Sequence, residues 1–150
     1  MNIDRIERQI TLSAPLGRVW RALADHREFG QWFRLNLEGP FEVGKIARGR
    51  ITHPGYEHLQ WEALVEKIEP KSYFAFAWHP YAVDPSVDYS KEPRTLVEFR
   101  LKATKDGTHL TVTESGFEKI PAERRAEAIR MDGAGWTVQM ENIKHHVAPA

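Results

Sequence analysis

The feature that most constrains this chain is the helical period of its C-terminal segment. Ala122, Ala126, Ile129, Gly133, Trp136, Met140, Ile143 and Val147 are apolar or small and recur at steps of three or four residues. That spacing is one face of an α-helix. A helix starting near Pro121 and running for about 27 residues is about 40 Å long, so in a chain of 150 residues it has to lie across something wide. Just before it, Leu110, Val112 and Glu114 alternate with Thr111, Thr113 and Ser115, the period of a strand, and Gly116 ends the run. The two patterns together predict a long helix clasped by a sheet, with a space between them.

More strands are expected upstream. From Ile3 to Ser13, Ile6, Arg8, Ile10 and Leu12 alternate with Glu7, Gln9 and Thr11. Ser13-Ala14-Pro15 reads as a helix start with Ser or Ala at the cap, followed by a face of Leu16, Val19, Trp20 and Leu23. A second short helical piece clusters Phe29, Trp32 and Phe33 and is expected to break at Gly39-Pro40. Strand patterns then cover 46–51, 59–69, 73–79 and 95–101, with a tight turn at Pro70-Lys71 and a hairpin turn at Asp106-Gly107. Between 80 and 93, three prolines with Tyr81 and Tyr89 read as a long loop. One strand, two short helices, five or six strands and one long helix make an α+β chain on an antiparallel sheet, expected as a single domain over 1–150.

Composition narrows the function classes. Lys plus Arg and Asp plus Glu are 21 each, so the formal net charge is zero. That argues against nucleic acid, which needs a basic surplus, and against a polybasic membrane anchor. The absence of cysteine excludes disulfides and thiolate chemistry. The seven histidines show no metal-ligand spacing, and no cofactor motif is present. The charged, alternating N-terminus is not a signal peptide, and no apolar run approaches a membrane span. The expectation is a cytoplasmic protein.

Four motifs in order carry a resemblance. They are Arg8-Gln9-Ile10 with Ser13 through Leu23, Phe29-Gly30-Gln31-Trp32-Phe33, Val65 through Trp78, and Leu110 through Phe117 followed by Gly133-Ala134-Gly135-Trp136. The chain resembles the START-like (SRPBCC) superfamily and, more narrowly, the branch related to the activator of the Hsp90 ATPase. The resemblance implies a helix-grip fold, in which a curved antiparallel sheet wraps the C-terminal helix, two short helices close one end and a cavity lies between. The 80–93 loop is longer than is common in that branch, and is expected to cap the cavity or form a partner surface.

Strand alternation predicts the cavity lining. Thr95, Val97, Phe99, Leu101, Leu110 and Val112 share an apolar face, Trp136 and Met140 point at it from the helix, and Trp32 and Phe33 close one end. Trp61 and Trp78 join them as ligand-contact candidates. Glycine inside a helix costs about 1 kcal/mol relative to alanine, so Gly133 and Gly135 need a reason; close sheet approach is the first reading, and a kink or room for a ligand are the others. Glu114 falls on the apolar face, where a carboxylate needs a partner or a proton. A salt bridge to Arg50 or Arg130 is one reading, and an acid/base group or polar anchor is the other. His79 and Tyr81 are rim candidates. Three functions are thus in view: binding of a small apolar or aromatic ligand, a co-chaperone-like interaction implied by the resemblance, and a cyclase, dehydratase or hydrolase using Glu114, His79 and Tyr81. A homodimer through the face near the 80–93 loop is also open.

Overall fold

The computed structural model describes residues 5–82, 84 and 86–149; Ile3 and Asp4 of the expected first strand, and Pro85 of the long loop, lie outside them. One antiparallel sheet of seven strands carries the fold, in the order β1-β7-β6-β5-β4-β3-β2. Its strands are β1 (Arg5–Leu12), β2 (Leu35–Leu37), β3 (Ile46–Ile51), β4 (Gln60–Glu69), β5 (Tyr73–Trp78), β6 (Thr95–Thr104) and β7 (Gly107–Ser115). The helices are α1 (Leu16–Ala24), α2 (His26–Phe33) and α3 (Ala122–Val147). This is the α+β, helix-grip arrangement, with α3 packed on β1 and on both shorter helices.

Local chemistry explains the boundaries. Pro15 is itself the cap of α1: its carbonyl accepts from the N–H groups of Arg18 and Val19, at 3.0 and 3.2 Å. The cap therefore falls one or two residues later than Ser13 or Ala14. Asp25 caps α2 with its carboxylate, which accepts from Arg27 and Glu28 N–H. That helix ends at Arg34, which takes a left-handed backbone with φ 72°, not at Gly39-Pro40. The intervening residues form β2, which pairs with Gly49–Ile51 of β3. So short a strand offers too few residues for alternation to be read. Gly30 lets α2 lie on it, since a Cβ there would come within 2.3 Å of the Leu35 carbonyl oxygen.

The helices are tied by charge as well as packing. Glu28 of α2 accepts from Arg18 of α1 at 2.6 Å and lies 2.9 Å from the His146 imidazole of α3. Burial works to raise the Glu28 pKa, but hydrogen bonds from His146, Arg18 and Arg21 outweigh it and hold the carboxyl below its ordinary range. The centre of the fold is aromatic. Phe29 lies within 6.5 Å, ring centroid to centroid, of Trp32, Phe33, Phe41, Trp61, Phe74, Phe76 and Phe99. These rings come from α2, β4, β5, β6 and Phe41, and pack as one core cluster.

Candidate functional site

A partly open cavity of about 480 Å³ lies between α3 and the β4–β5 side of the sheet. Phe33 from the end of α2, Trp61 from β4, Trp78 from the end of β5 and Trp136 from α3 supply its aromatic walls. Phe33 and Trp136 meet edge to face at 5.9 Å, and Trp78 and Trp136 stack at 5.7 Å. The helix side is a stripe of Met131, Asp132, Gly135, Trp136 and Gln139, spaced three, four and one apart. Extended toward the N-terminus, the same stripe passes through buried Ala128 and partly buried Arg124. Ala122 and Ala126, expected to face inward, are exposed.

The 80–93 loop forms the roof, contributing Tyr81, Ala82, Tyr89 and Ser90 to the lining. Arg124 holds it there. Its Nη2 and Nε donate to Glu92 Oε1 at 2.6 and 2.9 Å, and Nη1 donates to the Pro80 carbonyl at 2.8 Å. Its guanidinium also lies 4.8 Å from the Tyr89 ring centroid. Tyr81 takes a left-handed backbone, φ 49°, which is unfavourable for a bulky side chain and is sustained by the structure around it. His79 lines the cavity with its Nε2 3.1 Å from the Glu92 carbonyl oxygen. Burial pushes its pKa below the ordinary histidine value against the opposing pull of that contact.

A buried pair of carboxyl groups lies behind the stacked tryptophans. Glu114 is fully buried. Its Oε2 accepts from the Trp78 indole N–H at 2.8 Å and from the Thr95 hydroxyl at 2.6 Å, and its Oε1 accepts from the Trp136 indole N–H at 2.9 Å. Asp132, which lines the cavity, has its carboxyl close to that of Glu114. Among the described residues no donor reaches the buried Asp132 Oδ2. Two carboxyl groups in such contact hold a proton between them. Burial, then the charge of Glu114 and the hydrogen bond to it, push the Asp132 carboxyl up to about 10, with Arg124 pulling weakly the other way. Asp132 is therefore a neutral acid at neutral pH. The Trp61 ring also lines the cavity, and its indole N–H is buried with no acceptor among the described residues.

The expected site residues separate into two groups. Phe33, Trp61, Trp78, Trp136, His79 and Tyr81 line the cavity. Trp32, Val97, Phe99, Val112 and Met140 do not: they belong to the packed core, where Val97, Phe99 and Val112 are 0% exposed. Trp32 is anchored there by an indole N–H bond to the Ala22 carbonyl at 2.8 Å. Phe99 of β6 packs there against Phe29, Phe74 and Phe76, and the opening lies between α3, the start of β4 and the end of β5. Glu114 pairs with neither Arg50 nor Arg130. Arg50 is exposed on β3, and the exposed Arg130 lies 3.6 Å from Glu127. The two glycines also differ. A Cβ on Gly133 would come within 3.1 Å of Arg8 Nη2, a close approach, whereas one on Gly135 would meet nothing within 4 Å, because Gly135 borders the cavity.

Asp132 is the residue the apolar period misses. The signal for it is the second helical stripe of Arg124, Asp132, Gly135 and Gln139, which mixes charged, polar and small residues and so carries no hydrophobic pattern.

The fold and this site define a helix-grip protein with a side cavity, and the comparisons place it. The family model described as activator of Hsp90 ATPase homolog 1-like protein matches residues 13–148, and the chain belongs to that family. No curated protein matches the chain. Among solved structures, DynU16, from the dynemicin biosynthetic locus, is similar over 95% of this chain with 23% identity and a TM-score of 0.72; this chain spans 46% of it. Protein MLL2253 from Mesorhizobium loti is similar over 95% of each chain, at 22% identity and TM-score 0.74. The Aha1 dimer from Colwellia psychrerythraea is similar over 95% of each chain, at 16% identity and TM-score 0.69. At these identities the likeness is one of fold.

Proposed function

We propose that this protein binds a small, mostly apolar aromatic molecule in the cavity between α3 and the β4–β5 side of the sheet. The observation that carries this reading is the cavity's construction. About 480 Å³ is the size of a small-molecule site, and four aromatic side chains wall it beneath a roof latched by Arg124. Phe33, Trp61, Trp78 and Trp136 are the contacts, with Tyr81 and His79 at the rim.

Titration with naphthalene derivatives tests the reading, followed by intrinsic tryptophan fluorescence and thermal shift. Saturable one-site binding is expected, and Gly135→Phe, which places a ring in the cavity, should abolish it. No binding across such a panel, or binding that Gly135→Phe leaves intact, contradicts the reading.

The family match and the Colwellia dimer support a second reading, a co-chaperone-like interaction, with self-association as its companion. A pull-down with an Hsp90-type ATPase and analytical ultracentrifugation test these. Absence of the chaperone and a monomeric mass would reject both. A cytoplasmic location fits either reading.

A further inference from the structure

We propose that Arg94 anchors an anionic head group at the mouth of the cavity, so that the natural ligand is an aromatic carboxylate. This deepens the ligand-binding reading and rests on it.

Strand pairing places the residue. Trp78 at the end of β5 stands opposite Thr95 at the start of β6. His79 and Arg94 are the next residues outward on the two chains, and both line the cavity. Their base is fixed, because the Trp78 and Thr95 side chains both donate to the buried Glu114 carboxylate. Arg94 is exposed, so it stands where the cavity meets solvent. Trp78, one residue further in, is the aromatic wall next to this pair. A flat body resting on Trp78 therefore turns the substituent on its outer edge toward Arg94.

The second observation is that Arg94 has no partner. Among the described residues no carboxylate pairs with its guanidinium. Glu92, two residues away, is taken by Arg124. Glu62, which also lines the cavity, lies 3.6 Å from Arg48. An exposed arginine without a carboxylate is unremarkable on an open surface. Arg27, Arg34 and Arg50 are of that kind, and none of them lines this cavity. Arg94 differs in sharing a lining with four aromatic side chains. Its charge also reaches inward: burial is the main cause of the lowered His79 pKa, and Arg94 adds to it.

The chemistry of the group selects the anion. A guanidinium is a planar fork that pairs with a planar carboxylate through two parallel hydrogen bonds. One free cation balances one charge, whereas a phosphate monoester would bring a second charge with nothing to meet it. The head group points outward because the inner end holds the carboxyl groups of Glu114 and Asp132, which offer an anion only repulsion. The apolar body then fills the space among the rings.

The test compares naphthalene-2-carboxylate with 2-acetylnaphthalene, which has nearly the same shape and no charge, by tryptophan fluorescence titration near neutral pH. Wild type should bind the carboxylate about fivefold more tightly, the worth of a charge-assisted hydrogen bond at a half-exposed site. Added salt should shrink that preference. In Arg94→Gln the affinity ratio should fall to about one, and Arg94→Lys, which keeps the charge but not the fork, should restore part of it. Lys102→Gln, which removes an exposed cation toward the other end of β6, should keep the wild-type ratio. A wild type that binds the carboxylate no better than the ketone, or a preference that Arg94→Gln retains, overturns this assignment and leaves the cavity reading standing. Binding of neither compound overturns the cavity reading and this one with it.

Discussion

Asp132 titrates against the usual direction for a surface carboxyl, and its effect on stability follows from that. The folded protein holds its proton more tightly than the unfolded chain does, so stability falls as pH rises from the ordinary 3.8 toward about 10. Glu114 and Arg124 act on it, and His79, Arg94 and Glu62 line the same cavity. They are common to wild type and variant, so a difference between the two isolates Asp132. Asp132→Asn should match wild type in acid and gain on it with rising pH, by at most about 1.4 kcal/mol per pH unit. Urea unfolding across about pH 5 to 9 reads this, and a constant difference would remove the neutral-acid assignment. Glu114→Ala strands two indole N–H groups and a buried hydroxyl and should cost about 3–5 kcal/mol at neutral pH; a cost near zero would show that these donors find other acceptors. Glu114 was legible in the sequence as a carboxyl on an apolar strand face. Its partners were not, because alternation says which side a residue faces and not what faces it from another element.

The elements show the same division. Helix α3, its core positions from Gly133 to Val147 and the hairpins of the sheet follow directly from period and turn chemistry. The inward direction at the start of α3 did not, because Arg124 and Asp132 face inward while Ala122 and Ala126 are exposed. A polar residue with a buried task looks like a solvated one until the partner is known. The two helix glycines make this testable. Gly135→Ala adds a methyl group where nothing lies within 4 Å and should raise stability by up to about 1 kcal/mol. Gly133→Ala presses on Arg8, whose Nη2 donates to the Gly133 carbonyl at 3.2 Å and whose Nε donates to Thr137 at 3.0 Å. Its melting temperature should fall. Equal shifts of the same sign would mean that helix propensity alone governs both sites.

For the whole molecule, the helix-grip fold and the family follow from motifs spread along the chain, while the position of the cavity depends on volumes that no linear pattern contains. The rings of Phe29, Phe74, Phe76 and Phe99 fill the centre of the core, and the opening lies beside Trp61 and Trp78, where residues of the 80–93 loop line it. The most direct test of a ligand site there is nitrogen-correlated NMR of the tryptophan indole groups during addition of acetylnaphthalene. The indole signal of Trp61, unpaired in the cavity wall, should move most, those of Trp78 and Trp136 less, and that of Trp32, bonded to Ala22 in the core, should stay in place. If every indole signal stays fixed, or Trp32 moves as far as Trp61, the cavity is not the binding site.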